Sequence, residues 1–306
     1  MKVTAESTVA LPEPIAAALR PERSWVAVYC DLFKARLTFL VLVTTLVGFY
    51  IGSQGVVDYA LLFHAILGTA LVAAGASALN QLWEREHDAR MRRTRERPLP
   101  SGRMRPATVL VIGCGAAAAG LIYLGVAVNL TTCLLGAASL GTYVLVYTPL
   151  KRVTWLNTAV GAVPGGLPPL MGWTAARGQL THEGWALFGI LALWQLPHFM
   201  AIAWIYRDEY ARAGFKMLPV VDPGGRRTGR QAVAQTLGLL PVSLSPFALN
   251  LAGPVYLAGA LVLGLAFFYY ALQFARQLTV PRARQLFYVS ILYLPLLLGV
   301  MMLDKR

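Results

Sequence analysis

Apolar runs long enough to cross the roughly 30 Å hydrocarbon core of a bilayer recur along almost the whole chain. They fall at 37–53, 59–79, 108–128, 131–147, 157–174, 184–206, 232–251, 255–274 and 286–303, and they predict nine membrane-spanning helices. Runs of this length are too long for the tilted strands of a barrel, and a helix satisfies its own backbone in lipid. The expected fold is therefore all-α, a polytopic membrane protein built as a nine-helix bundle. Composition agrees: 57% of the 306 residues are hydrophobic and 13% charged, where a soluble chain carries about 25% charged residues. Residues 1–30 read as a polar cytoplasmic tail and 31–306 as one transmembrane domain. Prolines inside the runs, such as Pro164, Pro168, Pro169, Pro241 and Pro246, are tolerated where neighbouring helices satisfy the freed backbone groups.

Positive loops stay cytoplasmic, and the basic residues are strongly one-sided. The tail and first helix start carry Lys2, Arg20, Arg23, Lys34 and Arg36, and eight arginines lie from Arg85 to Arg105. Lys151 and Arg152, six basic residues from Arg207 to Arg230, and Arg276, Arg282 and Arg284 continue the pattern in alternate loops. The intervening loops hold Arg177, and the C-terminus holds Lys305 and Arg306. This asymmetry predicts a cytoplasmic N-terminus and an outside C-terminus. It also accounts for the net charge of +13 without nucleic acid, leaving anionic lipid and anionic substrates as the partners to consider. Residues 1–25 lack the apolar core of a signal peptide and the acid-free amphipathicity of a transit peptide, so a bacterial inner membrane is expected. Cys30, Cys114 and Cys133 have no CxxC spacing and suggest neither disulfide nor zinc.

The second helix leaves the membrane through Asn80, Glu84 and Asp88, spaced so that all three share one face. Like charges at i,i+4 repel unless a cation lies between them, and magnesium takes one or two carboxylates together with phosphate oxygens. The stripe thus reads as a diphosphate dock, with a solvated, salt-bridged helix end as the plainer alternative. Pro98 and Pro100 stop the helix, letting the following arginines fold back to bind phosphate oxygens bidentately. Arg93, Arg97 and Arg103 are the candidates; positive-inside anchoring accounts for the other arginines.

The stretch NQLWEREHDARMRRTRERPLPSGR resembles the first signature of the intramembrane aromatic (UbiA-type) prenyltransferase superfamily, in the form found in heme O synthases. The resemblance extends to YTPLKR, GAVPGGLPPLMGW, WQLPHFMAIAWIYRDEY and AGFKMLPV, and runs from about Lys34 to the last helix. It implies a magnesium-dependent enzyme that moves a farnesyl group from farnesyl diphosphate onto a vinyl carbon of heme B, giving heme O. A heme A synthase is the partner it implies downstream. By the same resemblance Asp208 is carried over as a second magnesium or diphosphate ligand. Here the usual Asp-x3-Asp is replaced by Asp208 followed by Glu209, so Glu209 is left open. Both acidic ends belong to helices that exit on the same side, four spans apart. Where the family commonly has Lys-Pro-Arg, this chain has Lys34-Ala35-Arg36, a change expected to loosen the turn without touching the chemistry.

Three further features stay open at this stage. Lys151, Arg152 and Tyr147 form a patch suited to diphosphate, heme propionates or plain anchoring. His198, inside the membrane, is a candidate haem ligand or an interhelical hydrogen-bonding group, while His64 reads first as structural. The rival readings are prenylation of a quinone or chlorophyll precursor and, from a different class, a multi-span transporter, which should place polar residues at the midplane rather than at one face.

Overall fold

The computed structural model describes residues 24–306; the tail residues Lys2, Arg20 and Arg23 lie outside the described residues. The described chain is helical almost throughout. A short helix α1 (Trp25–Leu32) is followed by α2 (Ala35–Gly52), α3 (Tyr59–Asp88), α4 (Pro106–Ala127) and α5 (Leu130–Leu150). Then come α6 (Asn157–Arg177), α7 (His182–Ile205), the short α8 (Arg207–Arg212) and α9 (Leu218–Val221), and finally α10 (Arg226–Ala248), α11 (Pro254–Arg276) and α12 (Val280–Leu303). The expected boundary at residue 30 falls inside α1, which packs on α3: Gln81 Nε2 donates to the carbonyls of Asp31 and Leu32, each at 2.8 Å.

Among the described residues seven helices, α2, α3, α4, α5, α7, α11 and α12, are long and apolar enough to cross a membrane, against the nine expected from sequence. The two that differ are as long as the rest but less apolar. Arg226, Arg227 and Arg230 occupy the start of α10, and Gly and Pro dilute α6. Large apolar side chains such as Val111, Ile122, Val126, Val262, Leu265 and Leu292 point outward, as a lipid-facing surface requires.

With lipid outside, burial of oil does not hold such helices together; close packing and interhelical hydrogen bonds do. α6 shows this best, because nearly every residue from Gly161 to Ala175 is buried. It crosses α2 at small residues, where a Cβ on Gly172 would meet the Thr45 carbonyl and one on Gly48 the Pro169 carbonyl. Overpacking of this kind costs about 1–3 kcal/mol, so Gly172→Ala should lower thermal stability in detergent, read by a melting curve; an unshifted melt would contradict this contact. The prolines are also accommodated. Pro168 deprives the Pro164 carbonyl of its helical donor, and Ser139 Oγ donates to it at 3.4 Å; Pro246 does the same to Val242, whose carbonyl accepts from Ser245 Oγ at 2.6 Å.

The last helices close the bundle around Trp173, Leu187, Tyr256, Phe267 and Tyr293. Ser243 links two of the tyrosines, its Oγ 2.6 Å from Tyr293 OH and its carbonyl accepting from Tyr256 OH at 2.6 Å. At the C-terminus Lys305 Nζ donates to the carbonyls of Tyr50 and Ser53, at the end of α2 opposite Lys34. The two ends of the bundle are thereby defined. Lys34 and the C-terminal end of α3 lie at one, the C-terminus at the other.

Candidate active site

Asn80, Glu84 and Asp88 occupy successive turns of the inward face of α3. Asn80 and Asp88 are completely buried, and Glu84 is 4% exposed. Uncompensated, two such carboxylates would be very costly, so their partners decide what the site is. Lys151 Nζ lies 2.7 Å from Glu84 Oε1 and Arg97 Nη1 lies 2.7 Å from Asp88 Oδ2. Lys34 Nζ donates to Asn80 Oδ1 at 2.5 Å and to Tyr143 OH at 3.1 Å. Asn80 is oriented from its other side, where its Nδ2 donates to Thr148 Oγ1 at 2.9 Å, leaving the carbonyl oxygen to face the cavity group.

Local structure explains how these cations arrive. After α3 the chain turns back on itself: Thr94 Oγ1 donates to the Asp88 carbonyl at 2.9 Å and the Met104 amide to the Pro98 carbonyl at 3.1 Å, which places Arg97 over Asp88. Within α5, residues Thr142–Tyr147 form a π-helical turn, a local widening often found at functional sites. Tyr143 and Tyr147 stack there at 5.6 Å, and Lys151 sits 4.5 Å from the Tyr147 ring centre. Lys34 itself has φ +49°, a left-handed conformation uncommon for a side-chain-bearing residue, held because its ammonium is anchored on α3 and α5.

These groups line one cavity of about 170 Å³. Its polar wall is Lys34, Glu84, Asp88, Arg93, Arg97 and Lys151, and its other walls include Tyr147, Phe199, Ile202, Tyr210, Phe215 and Met217. Four cations against two carboxylates leave two positive charges uncompensated. Burial, reinforced by the charge of Arg97, pushes the Lys34 ammonium down to about 7. Burial also acts against the charge of Lys151, but Glu84 and the neighbouring tyrosines outweigh it and hold that ammonium above the usual lysine range. An entering polyanion favours the protonated form of both.

The residues suit a magnesium ion. Asp88 Oδ1 is buried without a hydrogen-bond partner, and the neutral carbonyl oxygen of Asn80, one turn beyond Glu84 on the same face, accepts from the cavity-lining Lys34. Among the described residues no cluster of three or more His, Cys, Asp or Glu exists. Two carboxylates are within what magnesium takes, since it fills the rest of its shell with phosphate oxygens and water.

The expected site residues divide into those that meet here and those that do not. Asn80, Glu84, Asp88, Arg93, Arg97, Tyr147 and Lys151 converge. Arg103 is turned away, donating to the Glu96 carbonyl at 2.9 Å and pairing with its carboxylate at 3.3 Å, so it braces the loop. Arg152 Nη2 donates to the Trp83 carbonyl at 2.6 Å, outside the cavity. Asp208 is at the surface, its side chain 87% exposed and 3.7 Å from Arg207, while Tyr210 from the same short helix does reach the cavity and meets Arg93 Nη2 at 3.4 Å. His198 lies deeper in the bundle, stacked between Trp194 and Phe287 at 5.3 and 5.0 Å and 2.7 Å from Ser290 Oγ. His64 Nδ1 is 2.7 Å from Tyr123 OH, joining α3 to α4. Lys34 is the residue that sequence reasoning passed over: it counted only as one of the basic residues and for the change at its neighbour Ala35, and it supplies a cavity cation.

A buried carboxylate stripe, ringed by cations at one end of an all-helical membrane bundle, defines an intramembrane transferase of prenyl diphosphates, and the chain belongs to the UbiA prenyltransferase family, which matches residues 41–294. Among its relatives are the protoheme IX farnesyltransferases of Solibacter usitatus, 48% identical over 90% of this chain and 98% of that protein, and of Koribacter versatilis, 44% identical over 97% of each. Among solved structures, one of digeranylgeranylglyceryl phosphate synthase is similar with a TM-score of 0.78 at 16% identity, covering 91% of this chain and 98% of the other. A UbiA homolog from Archaeoglobus fulgidus bound to DMAPP and Mg2+ is similar with a TM-score of 0.66 at 17% identity, covering 89% and 98%. At these identities the structures speak for the fold.

Proposed function

We infer that this chain transfers the farnesyl group of farnesyl diphosphate to a vinyl group of heme B, producing heme O. The observation that carries this reading is the cavity in which Glu84 and Asp88 meet Lys34, Arg93, Arg97 and Lys151, with Asn80 bound to Lys34 behind them, in a chain whose relatives are protoheme IX farnesyltransferases along nearly their full length.

Asn80 Oδ1, Glu84 and Asp88 would hold magnesium, which when bound neutralises charge on the diphosphate leaving group. Lys34, Arg93, Arg97 and Lys151 surround the same space and stabilise the negative charge that grows on the departing oxygens. Such preorganised electrostatic groups in a water-poor site are commonly the largest contribution to catalysis. Tyr147, Phe199, Tyr210 and Phe215 line the cavity, and an aromatic ring beside the allylic carbon would favour its developing positive charge by about 0.5–2 kcal/mol. Ile202, Met91 and Met217 complete an apolar wall that keeps water from capturing that carbon before the vinyl group does. As the allylic C–O bond breaks, diphosphate departs. The cation left on the porphyrin side chain after the new C–C bond forms takes up water and loses a proton, giving the hydroxyethylfarnesyl group. No side chain has to act as a covalent nucleophile.

The bundle is read here as nine crossings, with α6 and α10 completing the set, in a bacterial inner membrane with the site at the cytoplasmic face. The distribution of Lys and Arg supports that orientation. The buried acids, Glu84 and Asp88, lie at one end of the bundle, which favours an enzyme over a transporter. A heme A synthase is the proposed consumer of the product.

The test is to incubate the purified protein in detergent with farnesyl diphosphate, heme B and magnesium and to read the product mass. A hydroxyethylfarnesyl porphyrin is expected. A prenylated phenol with no porphyrin product would replace this reading with the quinone-precursor one. Because Asp208 projects to the surface, Asp208→Asn is expected to lower turnover by less than about tenfold, the scale of a peripheral charge. A loss comparable to that of a cavity carboxylate would place Asp208 among the metal ligands.

A further inference from the structure

Beside the catalytic cavity lies a wider depression of about 1000 Å³ between α1 and the loop after α3, and the two share Lys34, Arg93 and Arg97. Its charge is the informative feature. Lys34, Arg36, Arg93 and Arg97 line it together with the acids Asp31 and Glu96. Arg97 is neutralised by Asp88 and Glu96 by Arg103. Lys34 and Arg93 contact neutral partners, Asn80 and Tyr143 for the first, Tyr206 and Tyr210 for the second. Arg36 is exposed and makes no ion pair or side-chain hydrogen bond among the described residues. Arg36 and Arg93, with the amine of Lys34, therefore outnumber the acids, and the depression carries an excess of positive charge.

The porphyrin acceptor has a matching asymmetry. Its two propionates sit on the edge of the macrocycle opposite the vinyl groups, and charged carboxylates resist transfer into a lipid-facing interior. For a vinyl carbon to approach the allylic carbon inside the bundle, the propionates must remain at the aqueous rim, next to the diphosphate site and not in it.

Resting on the farnesyl-transfer reading above, we propose that the depression between α1 and the 93–97 loop is the propionate-binding part of the acceptor site, with Arg36 a specificity-determining contact that selects an acidic porphyrin. Arg36 acts on the acceptor alone, because it lines the depression and not the catalytic cavity. The patch considered earlier, Lys151 and Arg152, does not serve this purpose: the first is bound to Glu84 and the second to the Trp83 carbonyl.

The experiment compares wild type with Arg36→Gln and Arg36→Glu, using heme B and its propionate dimethyl ester as alternative acceptors. An exposed charge pair is worth up to about 1 kcal/mol and charge reversal roughly doubles it, so KM for heme B should rise about fivefold in Arg36→Gln and tenfold or more in Arg36→Glu. KM for farnesyl diphosphate should stay within about twofold, and with the dimethyl ester the three proteins should converge, because the carboxylates that Arg36 reads are masked. An unchanged KM for heme B, an equal rise for both substrates, or the same loss with the ester would overturn the proposal. A wild-type protein that farnesylates neither porphyrin would refute the enzymatic reading instead, a result visible before any variant is compared. Soret titration of heme binding to the same three proteins reports the Arg36 contact without turnover, and equal affinities there would also overturn it.

Discussion

Asp88→Asn is expected to reduce farnesyl transfer by more than about a hundredfold, the usual loss when a group that stabilises transition-state charge or its metal is removed. Asp88 is completely buried at the end of α3. One of its oxygens holds Arg97 at 2.7 Å, and the other is buried with no hydrogen-bond partner in a residue that lines the cavity. Asparagine has the same size and still accepts from Arg97, so the helix end and the loop should remain in place. Arg97 nevertheless loses its buried counter-ion, so the variant should melt below wild type yet stay folded while losing turnover, with the magnesium concentration needed for half-maximal rate displaced upward. Turnover near wild type at ordinary magnesium would remove Asp88 from the site and, with it, the single-cavity mechanism.

The second large effect is expected at Lys151. Its ammonium lies 2.7 Å from Glu84 Oε1, with both side chains largely buried. Deleting one partner of such a pair leaves an uncompensated charge and typically costs about 3–5 kcal/mol. Lys151→Met should accordingly destabilise the protein strongly as well as lose turnover. Glu84→Gln combined with Lys151→Met should recover much of the stability, because neither buried charge is then left alone, yet should recover no activity, because both the metal ligand and the phosphate-binding cation are gone. Thermal denaturation in detergent of the four proteins of this cycle supplies the coupling energy. Additive destabilisation would show that the pair is not coupled and that Lys151 is held by other contacts.

How far each part of the site was legible in the residues depends on how local its cause is. The stripe Asn80, Glu84, Asp88 follows from helical periodicity, a property of consecutive residues, and the structure keeps it on one buried face. Arg97 is nearly as local, since the turn that brings it over Asp88 spans nine residues. Arg103 and Arg152 show where this reasoning fails: arginine binds carbonyls and carboxylates as readily as phosphates, and here the backbone of the loop and of α3 takes them. Asp208 misses the cavity because α7 ends at Ile205 and the chain restarts at Arg207 through Tyr206, whose φ of −107° and ψ of 20° are not helical. The register that aims Phe199 and Ile202 inward is lost at that break. Lys34 was overlooked because its partners, Asn80 and Tyr143, lie 46 and 109 residues away.

Hydropathy and charge asymmetry determined by themselves that this is an all-helical membrane protein, and spacing put Asn80, Glu84 and Asp88 on one helix face, because each is a repeated or short-range property of the chain. The motifs shared with a known family added the reading as an enzyme. The seven strongly apolar helices and the Gly-lined crossings carry the same information in three dimensions. Which cation faces which carboxylate was decided only by tertiary structure. Long side chains from α2, the loop after α3 and the end of α5 reach the cavity because helices cross at close range, and the free energy of a buried charge depends on neighbours that no local pattern specifies.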